Sequence, residues 1–519
     1  MPKDLKELYL EITKDRGKPL DFWEVAALLE IYGIRDVDAQ KEYGFKDVFD
    51  MAKYLYEHYK DIVSYPQKHL ISEMKPPPYK KRVVKNFIKG IAFAMPMFLQ
   101  IFFTIVFGYA LWSNISLDIT DATVIAIGTF LALIVSGGFA QIIGRKGLYY
   151  LKLKEYILSA KIMKILLALG FVSTILLAVL FIMLNLVFSI FDEYLLYLFI
   201  STFVLLSFLF LISSVYYVFE EYEKIFYFFF LGIVFVFIFH YLFGIEFPRA
   251  QFMGIALLDA VFLIFAFRKL HYLRTIQESE GEILPRASML FFTLVNFFIY
   301  GLLYFIFLVS DKVIAWNANS VSRGFFLWFD VKYEIGTDIG LLILVILMGL
   351  VEVIVYEFLY NLNSSVFKYR FDRYKDFNRY LEKFYNRSSR LFFIFSVASI
   401  IVIYIIVMIV KDKVDIQKLP FIDYSALVFF VSSIAYALLA FALLNTLVLF
   451  SFSRQGVVIK AIFFATISNI IIGIILANTV AHYLSVFGLL AGSMIFCCMT
   501  FNYMKKLLKD LDYYYYSAY

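Results

Sequence analysis

The sequence has few charged residues for its length. Of its 519 residues only 17% are charged, whereas a soluble domain carries about 25%. Hydrophobic residues make up 62% and aromatic residues 20%, and the mean hydropathy is +0.79. This leaves too little polar surface to cover a body surrounded by water. We therefore predict an all-α membrane protein and exclude a soluble enzyme.

Cysteine and histidine are scarce as well. The only two cysteines, Cys497 and Cys498, are adjacent inside an apolar run, where they fit no zinc or redox spacing and are poorly placed for a disulfide. Of the five histidines, only His240 and His482 lie near predicted membrane ends, and no metal-ligand spacing relates them. A membrane acyltransferase or metalloprotease would need a histidine-centred group. We predict no catalytic residue, no metal and no cofactor.

A phosphate-binding glycine loop is also missing. Gly138 and Gly144 have five residues between them instead of the four that a Walker-type loop requires, and Arg145 stands where the motif needs lysine. ATP hydrolysis by this chain is therefore unsupported. We predict no nucleic-acid partner.

The first 74 residues differ from the rest. They carry 11 Lys+Arg and 15 Asp+Glu, a net charge of −4, and contain no cleavable signal. Apolar residues recur there at helical spacing, and Asp21 followed three residues later by Glu24 indicates a helix start. We predict a cytoplasmic helical domain over residues 1–74 and a proline-rich basic linker over 75–87, because consecutive prolines cannot continue a helix.

Twelve apolar runs follow, each close to the roughly 20 residues that a helix needs to cross the hydrocarbon core. They predict an N-terminal six-helix lobe over residues 88–267 and a C-terminal six-helix lobe over 289–504, with a cytoplasmic linker at 268–288 and a cytoplasmic tail at 505–519. The predicted spans 1 to 12 cover residues 88–112, 121–144, 162–190, 195–218, 224–244, 250–267, 289–309, 336–361, 390–410, 424–451, 456–481 and 485–504.

Lysine and arginine in the connections predict the orientation. With residues 80–89 inside, the inner connections hold 30 Lys+Arg and the outer ones 7, including Lys312. Trp112, Trp316 and Trp328 fall at or beyond outer ends, where indoles favour the interface. We predict a multi-pass protein of the cytoplasmic membrane with both termini cytoplasmic. The tyrosine-rich basic loops after spans 2 and 8 are predicted to contact anionic membrane lipid, or alternatively a cytoplasmic partner or an anionic lipid carrier.

Three acids lie within apolar runs. Asp259 falls near mid-membrane in span 6, Glu352 lies in span 8, and Glu357 lies near the inner end of the same span. A charge in the bilayer is costly and usually faces a cavity or a partner, so Asp259 and Glu352 are candidates for a transport cavity. The alternative is an acid that is protonated or hydrogen-bonded between helices. Glu357 can reach the interface.

Weaker candidates accompany them. Tyr356 and Tyr360 lie one and two turns beyond Glu352 and lengthen its polar stripe, so we include both as cavity candidates. Gln100 and Asn185 are polar residues inside spans and are also cavity candidates. They could instead form hydrogen bonds between helices. Pro96 is well inside span 1, where it removes a helix hydrogen bond and predicts a kink.

Several of these residues carry a family resemblance. Two six-helix halves with a proline in span 1 resemble the multidrug/oligosaccharidyl-lipid/polysaccharide (MOP) flippase superfamily. Within it the chain is most similar to the Pel exopolysaccharide transporter family (PelG-like). The matching residues are Gly301, Tyr304, Asp311, Lys312 and Trp316 at span 7, Val351, Glu352, Tyr356 and Tyr360 in span 8, and less specifically Pro96, Leu148 and Tyr149.

The resemblance covers roughly residues 85–510 and has clear departures. Val313, Ile314 and Ala315 separate Lys312 from Trp316 more widely than the tight Asp-Lys-Trp pattern of the family. Span 6 lacks the expected glycine-rich run, and the N-terminal domain is extra. These departures affect the substrate more than the fold.

What the resemblance implies is a transporter that moves an exopolysaccharide or a lipid-linked saccharide across the membrane by alternating access. Its partners would be that saccharide and the glycosyltransferase and other proteins of an exopolysaccharide complex. One alternative is a cation-coupled multidrug exporter in which Asp259 and Glu352 bind the proton or sodium ion. Another is a scaffold of a polysaccharide synthase complex that transports nothing. A membrane-embedded sugar or acyl transferase is disfavoured by the missing histidine group.

Overall fold

The computed structural model describes residues 4–13, 18–62, 78–276, 285–320, 327–366, 369, 373–413 and 424–517. Pro76 and Pro77 of the predicted linker and residues 277–284 of the predicted lobe connection lie outside these ranges. The described chain is helical, and its single β pairing is an isolated bridge between Tyr109 and Asn114. The all-α prediction is confirmed. The chain divides into two compact units, Met1–Val84 with Phe358–Phe384, and Lys85–Glu357 with Tyr385–Tyr519.

The smaller unit contains four short amphipathic helices, α1 (Leu5–Thr13), α2 (Phe22–Ile31), α3 (Asp36–Tyr43) and α4 (Val48–Tyr59). Helix α2 begins where the sequence predicts. The Asp21 side chain accepts a hydrogen bond from the Glu24 amide at 3.0 Å, and the Glu24 carboxylate accepts one from the Leu20 amide at 2.8 Å. These bonds satisfy amides that the helix itself leaves unpaired. The four helices bury a small core of their own, with Tyr9 and Leu29 fully inside.

Within the described residues, twelve helices are long and apolar enough to cross a membrane. The protein is therefore a multi-pass membrane protein, and the predicted number of spans is confirmed. Spans 1 to 6 are Tyr79–Phe107, Ile119–Lys152, Tyr156–Phe188, Glu193–Val218, Tyr222–Leu242 and Arg249–Ile276. Spans 7 to 12 are Ser288–Asn319, Val331–Val366, Tyr374–Ile409, Tyr424–Ser451, Gln455–Thr479 and His482–Lys509. We call the ends that meet the Lys- and Arg-rich connections the basic side, and the other ends the opposite side.

Spans 7 and 8 extend further than predicted. Span 7 continues to Asn319, beyond the expected end at residue 309, and span 8 starts at Val331, before residue 336. Charged residues lower the mean hydropathy and so end a predicted span. Here, however, they pair with one another inside the bundle. Trp316, predicted at or beyond the outer end of span 7, lies in the last turn of this helix and is fully buried. Lys312, counted among the outer connections, also lies within the span.

Each lobe has its own packing. In the first lobe, spans 2, 4, 5 and 6 share a buried apolar core that includes Ala132, Phe203 and Phe262. In the second, the Asn469 side chain of span 11 donates a hydrogen bond to the Phe307 carbonyl of span 7 at 2.9 Å. A polar bond of this kind joins helices where apolar contact alone gives little preference over lipid.

Glycines bring the two lobes into close contact. A Cβ atom at Gly90 of span 1 would lie 2.3 Å from the Met348 carbonyl oxygen of span 8. A Cβ atom at Gly301 of span 7 would lie 2.4 Å from the Gly137 carbonyl oxygen of span 2. Helices approach this closely only where no side chain intervenes. Among the described residues, spans 1, 2, 7 and 8 therefore meet at the lobe boundary.

Candidate transport site

A group of charged residues joins spans 7 and 8. The Lys312 ammonium contacts the Glu334 carboxylate and lies 3.3 Å from Oδ1 of Asp338. Next to it, Oδ2 of Asp311 accepts a hydrogen bond from the Tyr333 hydroxyl at 2.7 Å. We call these five residues the Lys312 cluster. It is the largest charged group inside the membrane-spanning part of the described second lobe.

The cluster lies in the half of the membrane toward the opposite side. Lys312 and Asp338 are each seven residues from the opposite-side ends of their spans, which is roughly 10 Å at 1.5 Å per residue. The Lys312 side chain is 9% exposed, but that of Asp338 is 43% exposed. Within its span, Asp338 therefore reaches the surface of the protein, whereas Lys312 is enclosed.

The cluster also carries unbalanced charge. The cluster contains three carboxyl groups and one ammonium, so full ionisation would leave a net charge of −2. Within the described residues, Oδ1 of Asp311 and Oε1 of Glu334 have no hydrogen-bond partner. Buried charge without compensation is costly, so such a cluster is suited to take up a proton or another cation. In that same part of the chain, no three His, Cys, Asp or Glu side chains are grouped as metal ligands.

The turn before span 8 holds the cluster in place. Oδ1 of Asp330 accepts hydrogen bonds from the Lys332 and Tyr333 amides at 3.1 and 3.2 Å, and both Asp330 oxygens lie 2.8 Å from the Tyr424 hydroxyl. Nε2 of His482 lies 2.9 Å from Oδ2 of Asp330. Burial alone would raise the pKa of Asp330, but the His482 and Tyr424 contacts outweigh it and hold this pKa below its usual range. The starts of spans 8, 10 and 12 are thereby tied together.

Trp316, one turn beyond Lys312, connects this region to the first lobe. Its ring stacks on Phe130 of span 2 at a centroid distance of 5.2 Å and packs against Phe329 at 5.1 Å. The Phe329 amide donates a hydrogen bond to the Thr123 hydroxyl of span 2 at 3.1 Å. The lobes therefore also touch near the opposite side, along spans 2 and 7.

A second ion pair crosses the lobe boundary toward the basic side. Nζ of Lys89 in span 1 lies 3.0 Å from Glu352 of span 8 and 3.0 Å from Glu220 at the end of span 4. Lys89 is directly beside Gly90, where spans 1 and 8 are closest. Glu352, a predicted cavity residue, is therefore half of an interlobe ion pair. The pair therefore joins the two lobes toward the basic side.

The other predicted polar residues have separate surroundings. Asp259 is 7% exposed, and neither of its oxygens has a hydrogen-bond partner among the described residues. Oε1 of Gln100 accepts a hydrogen bond from the Leu111 amide at 3.1 Å. The Asn185 side chain bonds both the amide and the carbonyl of Phe191, at 2.8 and 3.0 Å. Gln100 and Asn185 thus hold the connections that follow spans 1 and 3.

The remaining predictions have mixed outcomes. Tyr356 is half-buried on span 8. Within the smaller unit, the Arg82 guanidinium lies 4.2 Å from the centroid of the Tyr360 ring. Glu357 is 4% exposed, so its side chain is buried within the protein, while its predicted reach to the membrane interface stays a prediction. Pro96 lies inside the span 1 helix as predicted.

Three residues of the two ion-pair groups, Glu334, Asp338 and Lys89, were not predicted as site residues, although the sequence contains features that indicate them. Glu334 and Asp338 are four residues apart, which places both on one helix face beside an apolar run. Lys89 lies inside the predicted first span, where any charge indicates a partner or a cavity. The sequence does not show which residues pair with these three.

Comparisons with solved structures show which fold this is. The chain is similar to a crystal structure of the Vibrio cholerae MATE transporter VcmN (TM-score 0.58, 12% identity), over 83% of this chain and 98% of that one. It is also similar to the eukaryotic MATE transporter AtDTX14 (TM-score 0.57, 13% identity), over 82% and 95% of the two chains. No protein-family model and no curated protein matches the sequence. The chain thus has the fold of the MATE transporters of the MOP superfamily, while the narrower PelG-like resemblance remains a prediction.

Proposed function

We propose that this protein is an alternating-access membrane transporter whose transport is coupled to cation or proton binding at the Lys312 cluster. The observation that carries the proposal is Asp338, a partly exposed carboxylate inside a membrane span that reaches a buried lysine. A protein that only scaffolds its partners has no use for so costly an arrangement.

The two ion-pair groups would act on opposite halves of the cycle. The Lys89–Glu352 pair and the Gly90 contact close the basic side, while Asp338 is open to solvent from the other half. Rocking the lobes would break the first contact and cover the second. This is the behaviour expected of two six-helix lobes around a central site.

Protonation gives a physical route for coupling. A proton on Asp338 or Glu334 would neutralise a carboxylate that now attracts the Lys312 ammonium. The attraction between spans 7 and 8 would weaken, so proton binding would favour one arrangement of these helices over another. Asp259, buried without a partner in the described first lobe, would be a second proton carrier.

The proposed substrate is an exopolysaccharide or a lipid-linked saccharide, as the PelG-like resemblance implies. An acid open to the cavity can accept hydrogen bonds from sugar hydroxyls, which agrees with this class. Glycosyltransferases and other exopolysaccharide-complex proteins are the proposed partners. A cation-coupled multidrug exporter is the second candidate, favoured by the unpartnered Asp259 and compatible with the fold.

Transport by the purified full chain tests the proposal. Proteoliposomes with an imposed pH gradient should move a fluorescent lipid-linked saccharide, and Asp338→Asn should lower the rate at least several-fold. Asp118→Asn, which alters an exposed acid at the start of span 2, is the matched control and should transport normally. Movement of a cationic dye but not the saccharide would favour the exporter. No movement of either, with partner assembly intact, would favour the scaffold.

A further inference from the structure

A cavity opens between the basic-side ends of spans 5 and 6, away from the lobe boundary. It has a volume of about 710 Å³. Its walls are mainly aromatic and aliphatic, including Phe228 and Leu231 of span 5 and Phe265 of span 6. Its rim carries Lys224, Arg268 and Lys269. Pockets of this size bind small ligands through apolar walls and a few polar groups.

A second pocket lies on the adjacent face of span 6, and all of its lining residues belong to that helix. Its volume is about 630 Å³, and it is lined by Ile264, Phe267 and His271. Arg268 and Tyr272 line both cavities, so they stand between two apolar clefts. Ile264, Phe265 and Phe267 are exposed, although they belong to a membrane span. The clefts therefore open toward the bilayer.

Among the described residues, the charges around the two pockets leave Arg268 without a carboxylate partner. Glu221 pairs with both Lys224, at 3.0 Å, and Lys269. In the described part of the chain, no acid lies within 4.0 Å of Arg268, which is exposed. On the far flank Lys164 lies 5.9 Å from the Phe267 ring centroid, which adds a further positive charge. The local field therefore favours an anion.

Arg268 also has the depth of a lipid headgroup. It lies 19 residues after the start of span 6, which is roughly 28 Å along the helix and about the thickness of the hydrocarbon core. The apolar clefts lie deeper in the membrane than Arg268, at the depth of acyl chains. The cations lie at the level of Arg268, which is the depth of headgroups. Basic pockets between membrane helices bind anionic headgroups in this way.

The geometry points to a binding site for an anionic glycerophospholipid, with its phosphate at Arg268 and its acyl chains in the cavity between spans 5 and 6 and along the adjacent apolar face of span 6. A soluble phosphate would satisfy the charge but would leave the apolar walls uncovered. A zwitterionic lipid would fill the walls but would gain less from Arg268. This site is distinct from the lobe boundary, and it does not depend on the proposed transport reaction.

Native mass spectrometry of the full chain tests the site. The protein is released from nanodiscs of equimolar phosphatidylglycerol and phosphatidylcholine, and the retained lipid is counted. The wild type should retain phosphatidylglycerol preferentially. Arg268→Gln should lower its occupancy about fivefold, since one basic residue near the surface contributes about 1 kcal/mol. Leu231→Trp, which fills one cleft and leaves every charge in place, should also lower occupancy.

The matched control is Arg390→Gln, which removes an exposed arginine of span 9 outside both cavities and should leave the retained lipid unchanged. An equal loss in this control would mean general attraction to a basic surface and would overturn the site. Unchanged retention in both test variants would overturn it as well. Displacement of the lipid by excess inorganic phosphate would assign Arg268 to a soluble anion instead. Folding of each variant is checked by its thermal unfolding in detergent.

Discussion

Lys312 and Lys89 are each in contact with two carboxylates, but their removal would leave different charges behind. Around Lys312, Glu334 is buried, whereas Asp338 is partly exposed. Around Lys89 one acid, Glu220, is more than half exposed and can be solvated by water. Because the cost of an unpaired charge depends on burial, the two lysines should affect different properties of the protein.

Removal of Lys312 should lower stability. Lys312→Met leaves the Glu334 carboxylate unpaired, and breaking a buried pair from one side costs about 3–5 kcal/mol. We expect a clear fall in the thermal unfolding midpoint in detergent, partly recovered by adding Glu334→Gln. The control is Lys460, an exposed residue of span 11. Lys460→Met should unfold at the same temperature as the wild type. A normal midpoint for Lys312→Met would show that the cluster contributes no stability.

Glu352 should affect transport more than stability. In Glu352→Gln, Lys89 keeps Glu220 as a partner, so the protein should reach the membrane in nearly normal amounts. The interlobe ion pair is lost, and we expect export to fall at least several-fold per molecule. Saccharide export normalised to protein in the membrane is the measurement. Glu223→Gln, which changes an exposed acid on the basic side, should be neutral. Loss of export that only follows loss of protein would reduce Glu352 to helix packing.

At the scale of helices, the approach of spans 1 and 8 depends on a position without a side chain. The backbone of span 8 at Met348 and Gly349 is within 2.7 Å of the Cβ position of Gly90. Backbone cannot move aside as a flexible side chain can, so any substitution there must separate the helices. Gly144 of span 2 differs, because nothing lies within 4 Å of its Cβ position.

Substitution by alanine, which adds one methyl group, should therefore have different effects at Gly90 and Gly144. Gly90→Ala should separate spans 1 and 8 on the basic side, which spin-label distances between the two helices would detect as a longer or broader distribution. Gly144→Ala should leave those distances unchanged and stabilise its helix slightly, since alanine is favoured over glycine by up to about 1 kcal/mol. Unchanged distances in Gly90→Ala would mean that the lobe contact adjusts elsewhere and does not close the basic side.

At the scale of the whole molecule, an even number of spans places both termini on the same side of the membrane. The basic side carries most of the Lys and Arg in the connections, and moving Lys312 into span 7 removes one basic residue from the other side. Lys89, counted on the basic side, likewise lies within span 1, so the asymmetry on which the predicted orientation rests is preserved.

Labelling with an impermeant thiol reagent tests that orientation. Both native cysteines are first replaced, because Cys498 is exposed and Cys497 is buried beside it. Single cysteines at Ser116 and Asp415 should then react from outside, while one at Asp376 should react only after the membrane is opened. Asp415 lies outside the described residues, so its label tests the predicted topology alone. The reverse pattern would overturn the orientation.

The sequence by itself determined the membrane class, the twelve spans and local features such as the start of α2 at Asp21. Each of these depends on residues close together in the chain. Hydrocarbon tolerates only backbone that is hydrogen-bonded within its own helix, so an apolar run of sufficient length has a single outcome. Helix caps likewise depend on side chains three or four residues away.

Only the tertiary structure decided which intramembrane charges are paired and where spans 7 and 8 end. Lys312 lies 22 residues from Glu334 in sequence, and Lys89 lies on a different lobe from Glu352. A hydropathy window sums residues along one helix, whereas the cost of a charge depends on groups that approach from another helix. That difference hid the pairing of the Lys312 cluster and of Lys89 from sequence reasoning and made the predicted span 7 end too early.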